Sequence, residues 1–222
     1  MTANDFYWAI QSSSKGRSSG LDGLPVEYYQ LNPHSWARIF ELVYANQFSL
    51  GRMTKFQRRA SISLLYKKGD RSDPGNYRPI TLLNHDAKLG PKILAHRLRD
   101  VLPQVLHEDR TGFVSGRSIR HSLLRFQDLQ QFCTSTGMTR AGAILLDFAK
   151  AFDSVLWPAL SLVLGHLGFG PNFQRHVKTF YSGTLVTILV NGRASRFFEL
   201  GCGMRPISSR LFAPTPTLLD LH

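Results

Sequence analysis

The sequence predicts an α+β fold, an antiparallel sheet backed by helices, and three observations lead there. Long segments carry apolar residues at helical spacing. Shorter apolar runs between turn signals read as strands. Two of those runs, in "TLVTILVNGRASRFFEL", flank Asn191-Gly192, the preferred two-residue hairpin turn. The resulting order is helices, strand, helices, hairpin. The 222 residues are 43% hydrophobic, which suits one large domain or two small ones with a real core and argues against wholesale disorder.

Taken in chain order, "SSSKGRSSGLDG" is a Ser/Gly-rich loop with basic tips. A helix follows between Trp36 and Phe48 with Gly51 as its stop, and Ile39, Leu42, Val43 and Asn46 fall on a face expected to be core. Ile62, Leu64 and Leu65 suggest a short strand running into the basic turn Lys67-Lys68-Gly69-Asp70. Pro74, Gly75 and Pro79 forbid a regular helix next, so Arg78 is displayed from an extended segment. Residues 85–102 read as a helix with Leu89, Ile93, Leu94, Leu98 and Val101 inward and Lys88, Lys92, Arg97 and Arg99 outward. "TGFVSGRS" is a Gly-punctuated loop and "IRHSLLRFQDLQQFCTS" a second amphipathic helix. Ala143 to Leu146 fit a buried strand that ends on Asp147. Trp157-Pro158 opens another helix, closed by Gly168 and Gly170.

Lys plus Arg number 27 against 15 acids, a formal charge of +12. Such a field attracts polyanions, nucleic acid first and an anionic membrane second. Cys133 and Cys202 make neither a disulfide framework nor zinc-ligand spacing, and fit a reducing compartment. The start "MTANDFYWAI" is not a signal peptide, no stretch is long and apolar enough to span a bilayer, and there is no permitted N-x-Ser/Thr site. An intracellular protein is expected. No phosphate-binding loop, Gly-x-Ser-x-Gly elbow or His-Glu-x-x-His occurs, and a lone histidine such as His166 reads as structural.

Asp147 carries the first chemical question. An acid at the end of a buried strand either caps a turn, pairs with a lysine or binds a hard cation. Mg²⁺ prefers one or two carboxylates plus phosphate oxygens, and two such ions support in-line phosphoryl transfer. Here "AILLDFAKAFDSVLW" resembles the first catalytic palm motif of reverse transcriptases from LINE-type (non-LTR) retrotransposons. "GLDGLPVEYY" is similar to that family's N-terminal signature, and "LLYKKGDRSDPGNYRPITLLNHDAKLGPKILAHRLRDVLP" to its finger segment. "HEDRTGFVSGRSI", "GFGPNF" and "ILVNG" follow in the family's order, over about residues 18 to 205. "NYRPITLLN" and "TGFVSGRS" favour the LINE type over group II intron maturases and telomerase.

The resemblance implies a partial right-hand polymerase: residues 1–17 an N-terminal segment, 18–212 fingers and an incomplete palm, 213–222 a divergent tail. It implies RNA-directed DNA polymerase activity on an RNA template, a DNA primer and deoxynucleoside triphosphates, with Mg²⁺ or Mn²⁺ and no membrane. Asp147 corresponds to the first metal-binding, catalytic aspartate, and the backbone of Phe148 to a position beside the triphosphate. Phe152 matches the aromatic that blocks a ribose 2′-hydroxyl, although the sequence by itself does not distinguish this from a core Phe. Lys67 and Arg78 match cations that clamp triphosphate, a task Arg performs bidentately; by themselves they read as solvated charges. Arg110, Arg117 and Arg205 match nucleic-acid contacts, and Asp153 fixes the turn before the Trp157 helix.

The pattern also breaks. The family's second carboxylate comes from an aromatic-Ala-Asp-Asp box, and this sequence has no Asp-Asp pair; after Asp153 its acids are Glu199 and Asp220. In "GCGMRPISSRLF" the family's Gln-Gly-Cys/Asp is missing and Ser209 replaces a Pro. Arg110 stands where Gln is usual, Ala87 where Tyr is, and His121-Ser122 where Asp-Asn is common. The second metal ligand is therefore expected to be missing and the chain to be a catalytically incomplete, inactive domain, from a decayed element or a misread gene model. The alternatives are a nucleic-acid-binding remnant whose affinity weakens steeply with salt, or a pseudogene product with an unpaired sheet edge.

Overall fold

The computed structural model describes residues 1–112, 114–138 and 153–203, with positions 142, 144, 146 and 151. Helix α1 (Ala3–Gln11) opens with a capping box, in which Thr2 and Asp5 satisfy each other's backbone N–H. The short α2 (Val26–Gln30) leads into α3 (Pro33–Leu50), which ends at Gly51 in the left-handed conformation (φ 67°). The β1 strand (Arg59–Tyr66) and β2 (Tyr77–Leu83) are joined by a loop containing one 3-10 turn, Pro74–Asn76. Next come α4 (His85–Val105), α5 (Ile119–Ser135), α6 (Trp157–His166) and α7 (Pro171–Tyr181). The chain then forms β3 (Leu185–Val190), β4 (Arg193–Ala194) and β5 (Phe198–Glu199).

The sheet corrects the antiparallel expectation. Its order is β2-β1-β3-β4, with β5 also on β3. The local pairs are antiparallel, but β1 and β3 run parallel, Arg59 opposite Leu185 through Ser63 opposite Leu189. Hairpin turns announce antiparallel neighbours in the sequence, whereas a parallel pair closed through intervening helices leaves no local signature. The Asn191-Gly192 turn forms as expected, with both residues at positive φ (49° and 77°).

One core cluster unites six helices. It joins Phe6 and Ile10 of α1, Tyr29 of α2, Phe40, Tyr44 and Phe48 of α3, Leu89 and Ile93 of α4, Leu164 of α6 and Phe180 of α7. The rings interlock, with Phe6 and Tyr44 centroids 4.9 Å apart and Phe48 and Phe180 5.8 Å apart. This corrects the inward face expected for α3. Ile39 (46% exposed) and Leu42 (73%) point outward, while Ala37, Phe40, Tyr44, Gln47 and Phe48 are buried. Both stripes have helical period, and the aromatic one wins because each ring removes more apolar area from water. On α4, Leu89, Ile93, Leu94 and Leu98 are buried as expected, but Val101, beyond the reach of the core, is exposed. The strand expected over Ala143–Leu146 is not seen at its described positions: Ile144 and Leu146 are exposed and outside any strand, and the rest lies outside the described residues. Among the described residues no helix is long and apolar enough to cross a membrane.

Asp86, in the first turn of α4, is mostly buried, and burial pushes its carboxyl up to about 6; Asp22 nearby adds to this, while the Ala87 N–H and Gln57 oppose it. A carboxyl pKa that rises on folding stabilises the fold at low pH, and that contribution fades as pH climbs from about 4 to about 6. The gap corresponds to roughly 2–3 kcal/mol. Urea unfolding at pH 5 and pH 8 checks it: Asp86→Asn, which keeps an acceptor for Ala87, is expected to be more stable than the wild type at pH 8 and to flatten the difference between the two pH values.

Candidate nucleotide and nucleic-acid site

The hairpin of β1 and β2 holds the two cations singled out in the sequence. Leu65 lies opposite Arg78 and Tyr66 opposite Tyr77. The Lys67 N–H donates to the Asn76 carbonyl at 2.9 Å, which extends the ladder one residue. Side chains alternate between faces, so Leu65, Lys67, Asn76 and Arg78 share one face, and Lys67 and Arg78 stand as a diagonal pair with Cα atoms roughly 7–8 Å apart. Both are exposed, and neither makes an ion pair among the described residues.

The loop between the strands is built to keep those cations free. Its two acids are engaged with backbone: Asp70 Oδ1 accepts from Ser72 N–H at 2.9 Å and Asp73 Oδ1 from Gly75 N–H at 2.8 Å. The Ser72 hydrogen bonds hold the Asp70 carboxyl below the usual carboxylate range. On the other face, Tyr66 and Tyr77 meet edge to face at 5.6 Å, and their hydroxyls donate to the Gly69 and Arg71 carbonyls at 2.6 and 3.0 Å. The Arg71 guanidinium lies over the Tyr66 ring, 4.9 Å from its centroid. Asn76 Nδ2 donates to Asp70 O at 2.9 Å and packs under Gly69, whose φ of 96° and close approach leave no room for a side chain. Sequence reasoning missed both tyrosines; their pairing at the open end of a hairpin was the available signal.

Arg110 and Arg117 meet around one loop but differ in surroundings. Arg110 is exposed. Arg117 is half-buried and donates to four carbonyls: Nη1 to His107 (2.5 Å) and Arg110 (2.9 Å), Nη2 to Pro103 (2.9 Å) and Leu106 (3.1 Å). Ser122, where Asn is common in the resemblance, is buried and shares a 2.8 Å hydrogen bond with Thr111.

Asp147, Phe148, Phe152 and Arg205 lie outside the described residues. Leu156 bridges Cys202, the Gly203 N–H donates to Val155 O at 2.9 Å, and Trp157 Nε1 donates to Gly203 O at 2.8 Å. The segment leading to Arg205 is thus bound to the segment following Asp153. Among the described residues no group of three or more His, Cys, Asp or Glu could hold a metal ion, so the Mg²⁺ or Mn²⁺ expectation finds no donor set there.

Comparison with known proteins bears on the same segments. A family model described as "Reverse transcriptase (RNA-dependent DNA polymerase)" matches residues 66–206, from the end of β1 onward. The chain is 33% identical over 216 residues to the "Transposon TX1 uncharacterized 149 kDa protein" of Xenopus laevis, covering 96% of this chain and 16% of that protein. It is 27% identical over 158 residues to the "Probable RNA-directed DNA polymerase from transposon BS" of Drosophila melanogaster (66% of this chain, 16% of that protein). It is 30% identical over 158 residues to the Pol polyprotein from the type-1 retrotransposable element R2 of Popillia japonica (68% and 21%). The chain therefore spans no more than about a fifth of the length of these relatives.

Proposed function

Since its match covers well over half the sequence, the chain belongs to the reverse transcriptase (RNA-dependent DNA polymerase) family, of the LINE type, and we propose that it forms the nucleotide-gripping fingers and the first palm motif of such a polymerase. The observation that carries this reading is the common face of Lys67 and Arg78 on a hairpin where the family match begins. A deoxynucleoside triphosphate presents three phosphates, and a point-charge ammonium beside a bidentate guanidinium suits them. In this reading Lys67 and Arg78 hold the triphosphate, the Phe148 backbone lies alongside it, and Phe152 rejects a 2′-hydroxyl. Arg110 and Arg205 contact template or primer phosphates. Asp147 would hold Mg²⁺ or Mn²⁺, and the ion would neutralise charge on the phosphates.

Two-metal transfer needs a second carboxylate, and the sequence offers no Asp-Asp pair. The 222-residue chain alone is therefore proposed to bind nucleic acid without extending a primer. The net charge of +12 favours this second, non-polymerising reading. Anisotropy of a labelled RNA–DNA primer-template, measured from 50 to 200 mM salt, is expected to show binding that falls steeply; a log–log slope near zero sinks both readings. Incubation of the same complex with deoxynucleotides and Mg²⁺ or Mn²⁺ is expected to give no product; added nucleotides on the primer would overturn the inactivity.

A further inference from the structure

Arg117 sits where the resemblance puts a nucleic-acid contact, yet its guanidinium is already occupied. Pro103 and Leu106 offer carbonyls at the C-terminus of α4, where no further helical N–H follows to bond them and a positive charge is favoured. The His107 and Arg110 carbonyls belong to the loop that leaves α4. Arg117's own N–H donates to Val114 O at 3.2 Å, and its neighbour Ser118 caps α5. A second tie runs beside the first: Arg125 of α5 pairs with Asp109 and with Glu108 (3.4 Å). Arg110 rides on this doubly fastened loop, its N–H donating to His107 O at 3.1 Å and its side chain in solvent without an ion pair among the described residues.

We infer that Arg117 is a positioning residue: it fixes the 107–110 turn so that Arg110, not Arg117, meets the nucleic-acid backbone. The inference rests on the nucleic-acid reading above. A surface arginine free to move gives up side-chain and loop freedom when it binds phosphate. Fastening the turn removes much of that loss in advance. The guanidinium's planar fork reaches four carbonyls at once, which the three donors of an ammonium cannot reproduce. The geometry therefore separates two roles by one conservative change, since lysine satisfies a phosphate but not this set of carbonyls.

The test is a double-mutant cycle on binding of a labelled single-stranded RNA across salt concentrations. Arg110→Ala is expected to weaken binding and to lower the salt slope by about 0.7–1. Arg117→Lys keeps its charge yet is expected to weaken binding several-fold, and to add nothing in the Arg110→Ala background. Equal losses in both backgrounds, or unchanged binding by Arg117→Lys, overturn the proposal. A wild-type measurement stands beside the variants should they fail to fold. Under brief phenylglyoxal treatment read by mass spectrometry, Arg110 is expected to react and to be shielded by RNA, and Arg117 to resist with or without RNA. Ready labelling of Arg117 that RNA suppresses overturns it. If the wild-type chain binds no RNA, the nucleic-acid reading itself has failed, a result distinct from RNA binding with a neutral Arg117→Lys.

Discussion

Replacing Arg78 with alanine is expected to weaken binding of a fluorescent deoxynucleoside triphosphate by about 10–100-fold, as is Lys67→Ala, because a charge-assisted hydrogen bond contributes about 1.5–3 kcal/mol. Their common face gives the expectation its content, since general attraction by a basic chain predicts equal losses from any cation in the loop. Lys68 is the internal control: it neighbours Lys67, is exposed and lies in the bend beyond the end of the ladder, outside the Lys67–Arg78 diagonal pair. Lys68→Ala therefore removes the same charge from nearly the same place and is expected to cost little. Arg78→Lys is expected to recover only part of the affinity, because a point charge replaces a planar fork. Titration by anisotropy decides it. Should Lys68→Ala weaken binding as much as Lys67→Ala, the diffuse field of the loop holds the nucleotide and the paired-cation reading is wrong.

The hairpin was legible in sequence because its determinants are local. Apolar residues precede Lys67, two prolines exclude helix, and Asp70 and Asp73 prefer to bond backbone close by. That Lys67 and Arg78 share a face was not legible, since register depends on how residues 67–76 close. Nor was the parallel pairing of β1 with β3, nor the choice on α3 between an aliphatic and an aromatic stripe. Both depend on partners distant in the chain. Arg117 shows the limit most plainly: a motif position identifies the residue, but only the folded turn reveals that its donors face carbonyls. The Thr2-x-x-Asp5 spacing did announce α1, and sequence reasoning passed over it.

Gly90→Ala is expected to destabilise the protein, against the rule that alanine is about 1 kcal/mol better than glycine inside a helix. Gly90 lies within α4 and is buried against α3 and α7. A methyl group there would stand 2.3 Å from Tyr44 Cε1 and 3.0 Å from Phe180 Cζ. Neither ring can yield easily, because Tyr44 is wholly buried and its hydroxyl donates to Asp86 O at 2.6 Å while accepting from Gly90 N–H at 3.2 Å. Pro91 adds a second conflict. Its ring crowds the preceding Cβ in helical conformation, a clash that glycine lacks. Overpacking of this kind costs about 1–3 kcal/mol, and lost hydrogen bonding around Tyr44 adds about 1. The sum exceeds the helix-propensity gain, so a net loss of about 1–3 kcal/mol is expected. For a chain of this size that lowers the melting temperature by roughly 2–12 °C. Gly165→Ala in α6 is the matched contrast, since its added methyl meets only Gln174 Nε2 at an ordinary 3.7 Å. Thermal unfolding followed by circular dichroism should therefore move in opposite directions for the two substitutions. A Gly90→Ala protein that melts at or above the wild-type temperature would mean that α4 does not press on Tyr44, and the helical body that carries the hairpin would need to be redrawn.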